Sequence, residues 1–257
     1  SKPEKEQLLL SMLVNKLGDP EKAVASRCVR LLTELLRAHR AMTGVVAREV
    51  QGFATRANLA PKALAVAISF LTQVYLTHDL AELAGSLCRM YIALFSTAVQ
   101  KGEVQTRLLA ALLTGVNRAL PYCASSDGVV SEALDIDSLF KIVHDGVFAT
   151  RVQALALLER LTSAGKNDAA PRARFYRSLY ALLHSPELRA TTRPTLLLNL
   201  AYKAISGDTN DQRAAACLKR LCQVSPAIFP HTHTHTHTHT HTHTSRERER
   251  ERDMKSG

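Results

Sequence analysis

The stretch "VASRCVRLLTELLRA" (residues 24–38) decides the fold class. Val24, Cys28, Leu31, Leu32, Leu35 and Leu36 recur at the i, i+4, i+7, i+8, i+11 spacing of one helix face. The same 3.6-residue period runs through nearly the whole chain, and no alternating strand pattern interrupts it. Breaks are marked by turn and capping chemistry. "LGDPE" (17–21) offers Gly18 to end a helix, Asp19 to cap the next and Pro20 to open it. "THDLAE" (77–82) has the capping-box spacing Asp79–Glu82, "HSPEL" (184–188) repeats the logic, and "GDTNDQ" (207–212) pairs Thr209 with Gln212.

These signals predict eleven helices, near residues 4–17, 20–38, 41–56, 60–77, 79–100, 103–120, 130–144, 149–164, 171–184, 191–206 and 209–224. Connections are short except around 121–128 and 163–171. Taken in pairs the helices recur every 35–42 residues or so, the period of HEAT and armadillo units. A lone pair cannot bury its apolar face, so pairs stack. The expected fold is all-α, an α-solenoid of stacked helix pairs, with a plain multi-helix globule as the alternative.

Composition agrees. Of 257 residues 46% are hydrophobic but only 5% aromatic, and Trp is absent. A core of Leu, Ala and Val favours helices. The formal charge of +10 is unevenly placed. Residues 1–150 hold 16 basic and 14 acidic side chains, whereas residues 151–220 hold 12 and 5. Such a one-sided excess attracts polyanions, RNA and DNA first among them. Five cysteines, none in a CxxC pair, and no signal peptide point to a reducing intracellular compartment. No apolar run reaches the length of a membrane span, so no membrane association is expected. The start at Ser1 suggests a fragment or processed form.

Catalytic signatures are missing: there is no GxxxxGK[ST], GxGxxG after a strand, GxSxG or HExxH. His39, His78, His144 and His184 each fall at or near a predicted helix C-terminus, where an imidazole suits the last carbonyls. No catalytic residue, metal site or cofactor is assigned, and the expectation is a protein that is not an enzyme. Two stretches stand out as binding candidates. In "ALLTGVNRALPYC" (111–123), Gly115 costs about 1 kcal/mol inside a helix, which the close approach of a neighbouring helix would justify. Asn117 and Arg118 follow it, either tying down the next loop or facing a partner. In "PRARFYRSLY" (171–180), Arg172, Arg174 and Arg177 interleave with Phe175, Tyr176 and Tyr180. Phe175, Leu179 and Leu182 share a face and read as core. The arginines, with Arg189 and Arg193 beyond, are the candidate RNA contacts.

Several blocks carry a resemblance: "MLVNKLGDP" (12–20), "VVAREV" (45–50), "ALLTGVNRALPY" (111–122), "VQALALL" (152–158), "RFYRSLYALL" (174–183) and "LLLNLAYKAI" (196–205). In this order they resemble the CCAAT-binding-factor domain of the nucleolar complex protein family, over most of residues 5–225. Leu120 stands where the family has an aromatic before the Pro, and Ala149 where it has Asn. The resemblance implies a helical-repeat scaffold of the nucleus and nucleolus that assembles the large (60S) ribosomal subunit. It implies binding to pre-60S ribosomal particles and pre-rRNA, and pairing with the second nucleolar complex protein. Transcriptional regulation at CCAAT promoter elements is the alternative. No helix-turn-helix, zinc finger or basic zipper is present to read base edges, so DNA is only weakly supported. A generic helical-repeat adaptor is the third reading.

The chain is divided into a helical domain, residues 1–228, and a tail, 229–257, expected to be disordered. The tail joins seven His-Thr pairs to an Arg-Glu alternation. A (CA)n dinucleotide tract read as CAC-ACA encodes the first, and a (GA)n tract read as AGA-GAG the second. Translated microsatellites, from intron read-through or a gene-model artefact, are the favoured reading. They would mark where a longer domain was cut. Promiscuous metal binding by the imidazoles is a property of that composition alone.

Overall fold

The computed structural model describes residues 5–101, 106–123, 135–164, 169–190 and 194–228. Among them are eleven α-helices, five short 3₁₀ turns and no strand. The helices are α1 (Glu6–Asn15), α2 (Lys22–Ala38), α3 (Thr43–Ala54), α4 (Pro61–Leu71), α5 (Ala81–Lys101) and α6 (Thr106–Ala119). They continue as α7 (Ile136–Asp145), α8 (Phe148–Ala164), α9 (Ala169–Leu183), α10 (Pro194–Ser206) and α11 (Asp211–Ile228).

Helix α2 forms over the diagnostic stretch. Ala25, Cys28 and Leu32 are buried there, while Leu31 stays 41% exposed, so the apolar stripe is covered only in part. Several breaks use chemistry other than expected. Asp19 accepts from the Glu21 amide at 3.0 Å, and α2 begins only at Lys22. Asn210, not Thr209, caps α11: its Oδ1 accepts from the Arg213 amide at 3.0 Å, and Asp208 accepts from the Asn210 amide at 3.1 Å. Ser185 precedes a 3₁₀ turn, Pro186–Ala190, and not an α-helix. Helix α4 stops at Leu71, six residues before the expected end. The stretch after it buries Val74 and Leu76 and turns Tyr75 outward, so its packing is no longer helical. His78 therefore lies in the 3₁₀ turn before α5 and not at a helix C-terminus. Asp135, which the sequence reading did not single out, caps α7, accepting from the amides of Asp137 and Ser138 at 3.1 and 3.2 Å.

Most helices pack on a sequence neighbour, on the helix two along, or on both, while α2 lies mainly against the 3₁₀ turns at its two ends. Beside the α3–α4, α5–α6, α7–α8 and α10–α11 pairs run the packings α1–α3, α3–α5, α4–α6, α6–α8, α8–α10 and α9–α11. That two-layer progression is a solenoid of stacked helix pairs. One apolar core runs from Leu10 in α1 to Ala204 in α10. Leu, Ala and Val dominate it, and each fully buried Leu contributes about 1.5–3 kcal/mol. Successive units are also joined by polar bonds. Gln51 of α3 donates to Ser86 Oγ of α5 at 2.7 Å, and Asn117 of α6 donates to the Gln153 carbonyl of α8 at 3.0 Å. No helix of the described residues is long and apolar enough to cross a membrane.

Candidate RNA and partner interface

Gly115 sits where α6 crosses α5. A Cβ there would lie 2.7–2.9 Å from ring atoms of Tyr91, which is only 1% exposed. The glycine is thus explained by the expected close approach, and the neighbour is a buried ring. Burial pushes the Tyr91 phenol well above its ordinary value, and the Arg118 charge acts the other way. Two residues on, Asn117 Nδ2 bonds the Gln153 carbonyl and, at 3.2 Å, Gln153 Oε1. It therefore fastens α6 to α8 and not to the following loop. Its Oδ1 is buried and accepts no bond among the described residues. Arg118 is exposed and donates to the Thr72 carbonyl, satisfying the end of α4 from two helices away.

The α9 arginines point at different neighbours. Arg172 Nη2 donates 2.6 Å to the Gly207 carbonyl at the end of α10. Arg174 Nη1 pairs with Asp137 at 2.6 Å, its guanidinium 4.0 Å from the Phe140 ring centroid. Arg177 is exposed. The Arg189 side chain and all of Arg193 lie outside the described residues. Phe175, Leu179 and Leu182 are core, at 2%, 0% and 0% exposure. Tyr176 is buried too and donates from its hydroxyl to the Ala204 carbonyl at 2.8 Å.

Arg213, which the sequence reading did not single out, completes this corner. It grips Asp208 with two nitrogens, Nε to Oδ2 at 2.6 Å and Nη2 to Oδ1, and lies 4.2 Å from the Tyr176 ring centroid. Its hydrogen bonds hold the Asp208 carboxyl below its ordinary value of 3.8. A small cavity beside it is lined by Glu159, Thr162, Ser163, Arg172, Lys203 and Gly207 among others. Among the described residues no group of three or more His, Cys, Asp or Glu could hold a metal ion.

A second aromatic and basic grouping, also unforeseen, lies where α4 ends. Arg40 leans toward Tyr75, and the His78 and Tyr122 rings meet with centroids 5.1 Å apart. The signal was present in "QVYLT" (73–77), whose apolar–aromatic–apolar alternation does not suit the interior of an amphipathic helix.

Comparison with known proteins finds sequences similar to this chain. Residues 151–248 match the model of the CBF/Mak21 family. The chain is 42% identical over 225 residues to the CCAAT/enhancer-binding protein zeta of Homo sapiens, covering 88% of this chain and 21% of that protein. It is 34% identical over 259 residues to the Ribosome biogenesis protein NOC1 of Chaetomium thermophilum, covering 87% and 24%. It is 34% identical over 235 residues to the Nucleolar complex protein 1 of Drosophila melanogaster, covering 89% and 20%. The chain thus spans between a fifth and a quarter of the length of these relatives. Residues 151–248 are thus similar to the CBF/Mak21 family, and most of the chain is similar to one section of far longer proteins, two of which are named for ribosome biogenesis and for the nucleolar complex.

Proposed function

We propose that this chain is part of a non-enzymatic scaffold for large (60S) ribosomal subunit assembly in the nucleolus, binding pre-60S particles through protein partners and pre-rRNA. The similarity to Ribosome biogenesis protein NOC1 across 87% of the chain carries the reading. The solenoid supports it, since stacked pairs offer long surfaces for several partners at once. The second nucleolar complex protein is the partner the family resemblance suggests. The basic balance of residues 151–220 suits a polyanionic particle. Sucrose-gradient sedimentation of the tagged full-length protein tests this. It should travel with large-subunit precursors, and its depletion should lower 60S relative to 40S subunits. A protein that sediments free in growing cells, or depletion that leaves the ratio unchanged, overturns the reading.

A second reading, regulation at CCAAT promoter elements, draws on the name of the human relative. It requires that a CCAAT duplex bind more tightly than a scrambled duplex at equal salt. Equal affinities that fall together with salt would reduce it to non-specific attraction.

A further inference from the structure

The connections at one edge of the solenoid converge. Arg40 stands in the turn between α2 and α3, Tyr75 between α4 and α5, and Tyr122 in the turn that closes α6. Three contacts hold them together. The Arg40 guanidinium lies 5.9 Å from the Tyr75 ring centroid. The His78 and Tyr122 rings meet at 5.1 Å, tilted by 53°. Arg118 donates to the Thr72 carbonyl.

Tyr75 is 67% exposed, yet Val74 and Leu76 beside it are buried, at 4% and 7%. Both flanks are anchored in the core, so a fixed backbone turns this ring outward. Arg40 sits near the outer limit of a cation–π contact and does not cover the ring face. His78, three residues along, is exposed as well and lies at most about 11 Å away along an extended chain. That span matches a few nucleotides of one strand. Arg40 and Arg118 are exposed around these rings, against the carboxylate of Asp79 in the same turn as His78. Among the described residues of the three connections, Tyr75 is the only exposed large apolar side chain. A protein partner driven by apolar burial would find little here. An unpaired base needs only a ring face, and its phosphate needs an arginine beside it.

We propose that this edge is a stacking platform for unpaired bases of single-stranded RNA. Tyr75 presents the free ring face, the exposed His78 ring, backed by the half-buried Tyr122, stands beside it, and Arg40 meets the backbone phosphates. The proposal deepens the pre-rRNA reading and rests on it.

Fluorescence anisotropy with a labelled single-stranded oligouridylate, and with an RNA duplex of equal length, tests it on the purified full chain. The single strand should bind more tightly than the duplex. Tyr75→Ala should weaken the single-strand complex by about five- to 150-fold. Tyr75→Phe should restore it, and both variants should melt at the wild-type temperature because the ring is exposed. Arg40→Ala should make the log–log salt dependence shallower by about 0.7. Wild-type affinity in both alanine variants, no binding by the parent chain, or preference for the duplex overturns the platform. So does a Tyr75→Ala protein that keeps RNA affinity but loses a protein from precursor particles, which would make the edge a protein-docking surface. Tyr75-dependent RNA binding by a protein that never joins precursors would instead overturn the assembly role and leave the platform standing.

Discussion

A methyl group at position 115 would meet the Tyr91 ring at under 3 Å, and that ring has no solvent side to swing toward. Gly115→Ala gains about 1 kcal/mol of helix propensity but overpacks the crossing by about 1–3 kcal/mol. The variant should therefore melt below wild type. Tyr91→Phe should not rescue it, since the clashing atoms are ring carbons, whereas Tyr91→Leu should in part. The need for a small residue was legible in the sequence; which neighbour required it was not, because periodicity gives a face and not its opposite number. The α9 arginines teach the same lesson. Their sign and density were legible, but Arg172 answers a carbonyl 35 residues away and Arg174 a carboxylate 37 away. At Asp208 the sign of the pH effect is fixed by geometry. Its carboxyl is depressed by Arg213, so its contribution is present above the ordinary value of 3.8 and is lost as pH falls through the lower folded value. Asp208→Asn should lower stability by about 1.5–3 kcal/mol at pH 7. The gap between variant and parent should shrink toward zero below pH 3.8 in acid-unfolding curves.

At the scale of elements, all eleven expected helices form, because a 3.6-residue apolar stripe survives whatever it packs against. The errors lie at their ends. The sequence predicts a helix to residue 77 because Val74 and Leu76 continue the apolar content of α4, although not its helical spacing. The cation that closes the helix comes from α6, a long-range choice invisible in the local sequence. Removing it tests that assignment. Arg118→Ala should cost about 0.5–1.5 kcal/mol. It should also raise amide hydrogen exchange over residues 72–77 while leaving α1 and α11 unchanged. The cap of α11 was misplaced by one residue for a related reason. Asp208, Thr209 and Asn210 are all competent caps, and the grip of Arg213 on Asp208 leaves Asn210 at the helix mouth.

For the molecule as a whole, the pairing period was legible before any coordinates, since short connections and amphipathic helices leave stacking as the way to bury every stripe. Solenoid stability is close to a sum over units and their neighbours. Damage should therefore stay local. The Asp208→Asn variant should lose exchange protection in α9 to α11 and keep it in α1 to α3, read by hydrogen exchange with mass spectrometry. Uniform loss along the chain would mean one cooperative globule instead. The polar ties carry a further consequence. Gln51–Ser86, Asn117–Gln153, Arg174–Asp137, Arg172–Gly207 and Arg220–His184 join residues 35, 36, 37, 35 and 36 positions apart. At these five ties the chain is ruled in lengths of about one helix pair, whereas Arg56–Asn15, Arg118–Thr72 and Tyr176–Ala204 span 41, 46 and 28 positions. One extra residue inside a helix rotates every later side chain by about 100° and unhooks the next tie. Gaining or losing an entire pair leaves each tie facing its counterpart. Changes in the length of this domain should be tolerated as whole helix pairs, or absorbed in the connections, far more readily than as single steps within a helix.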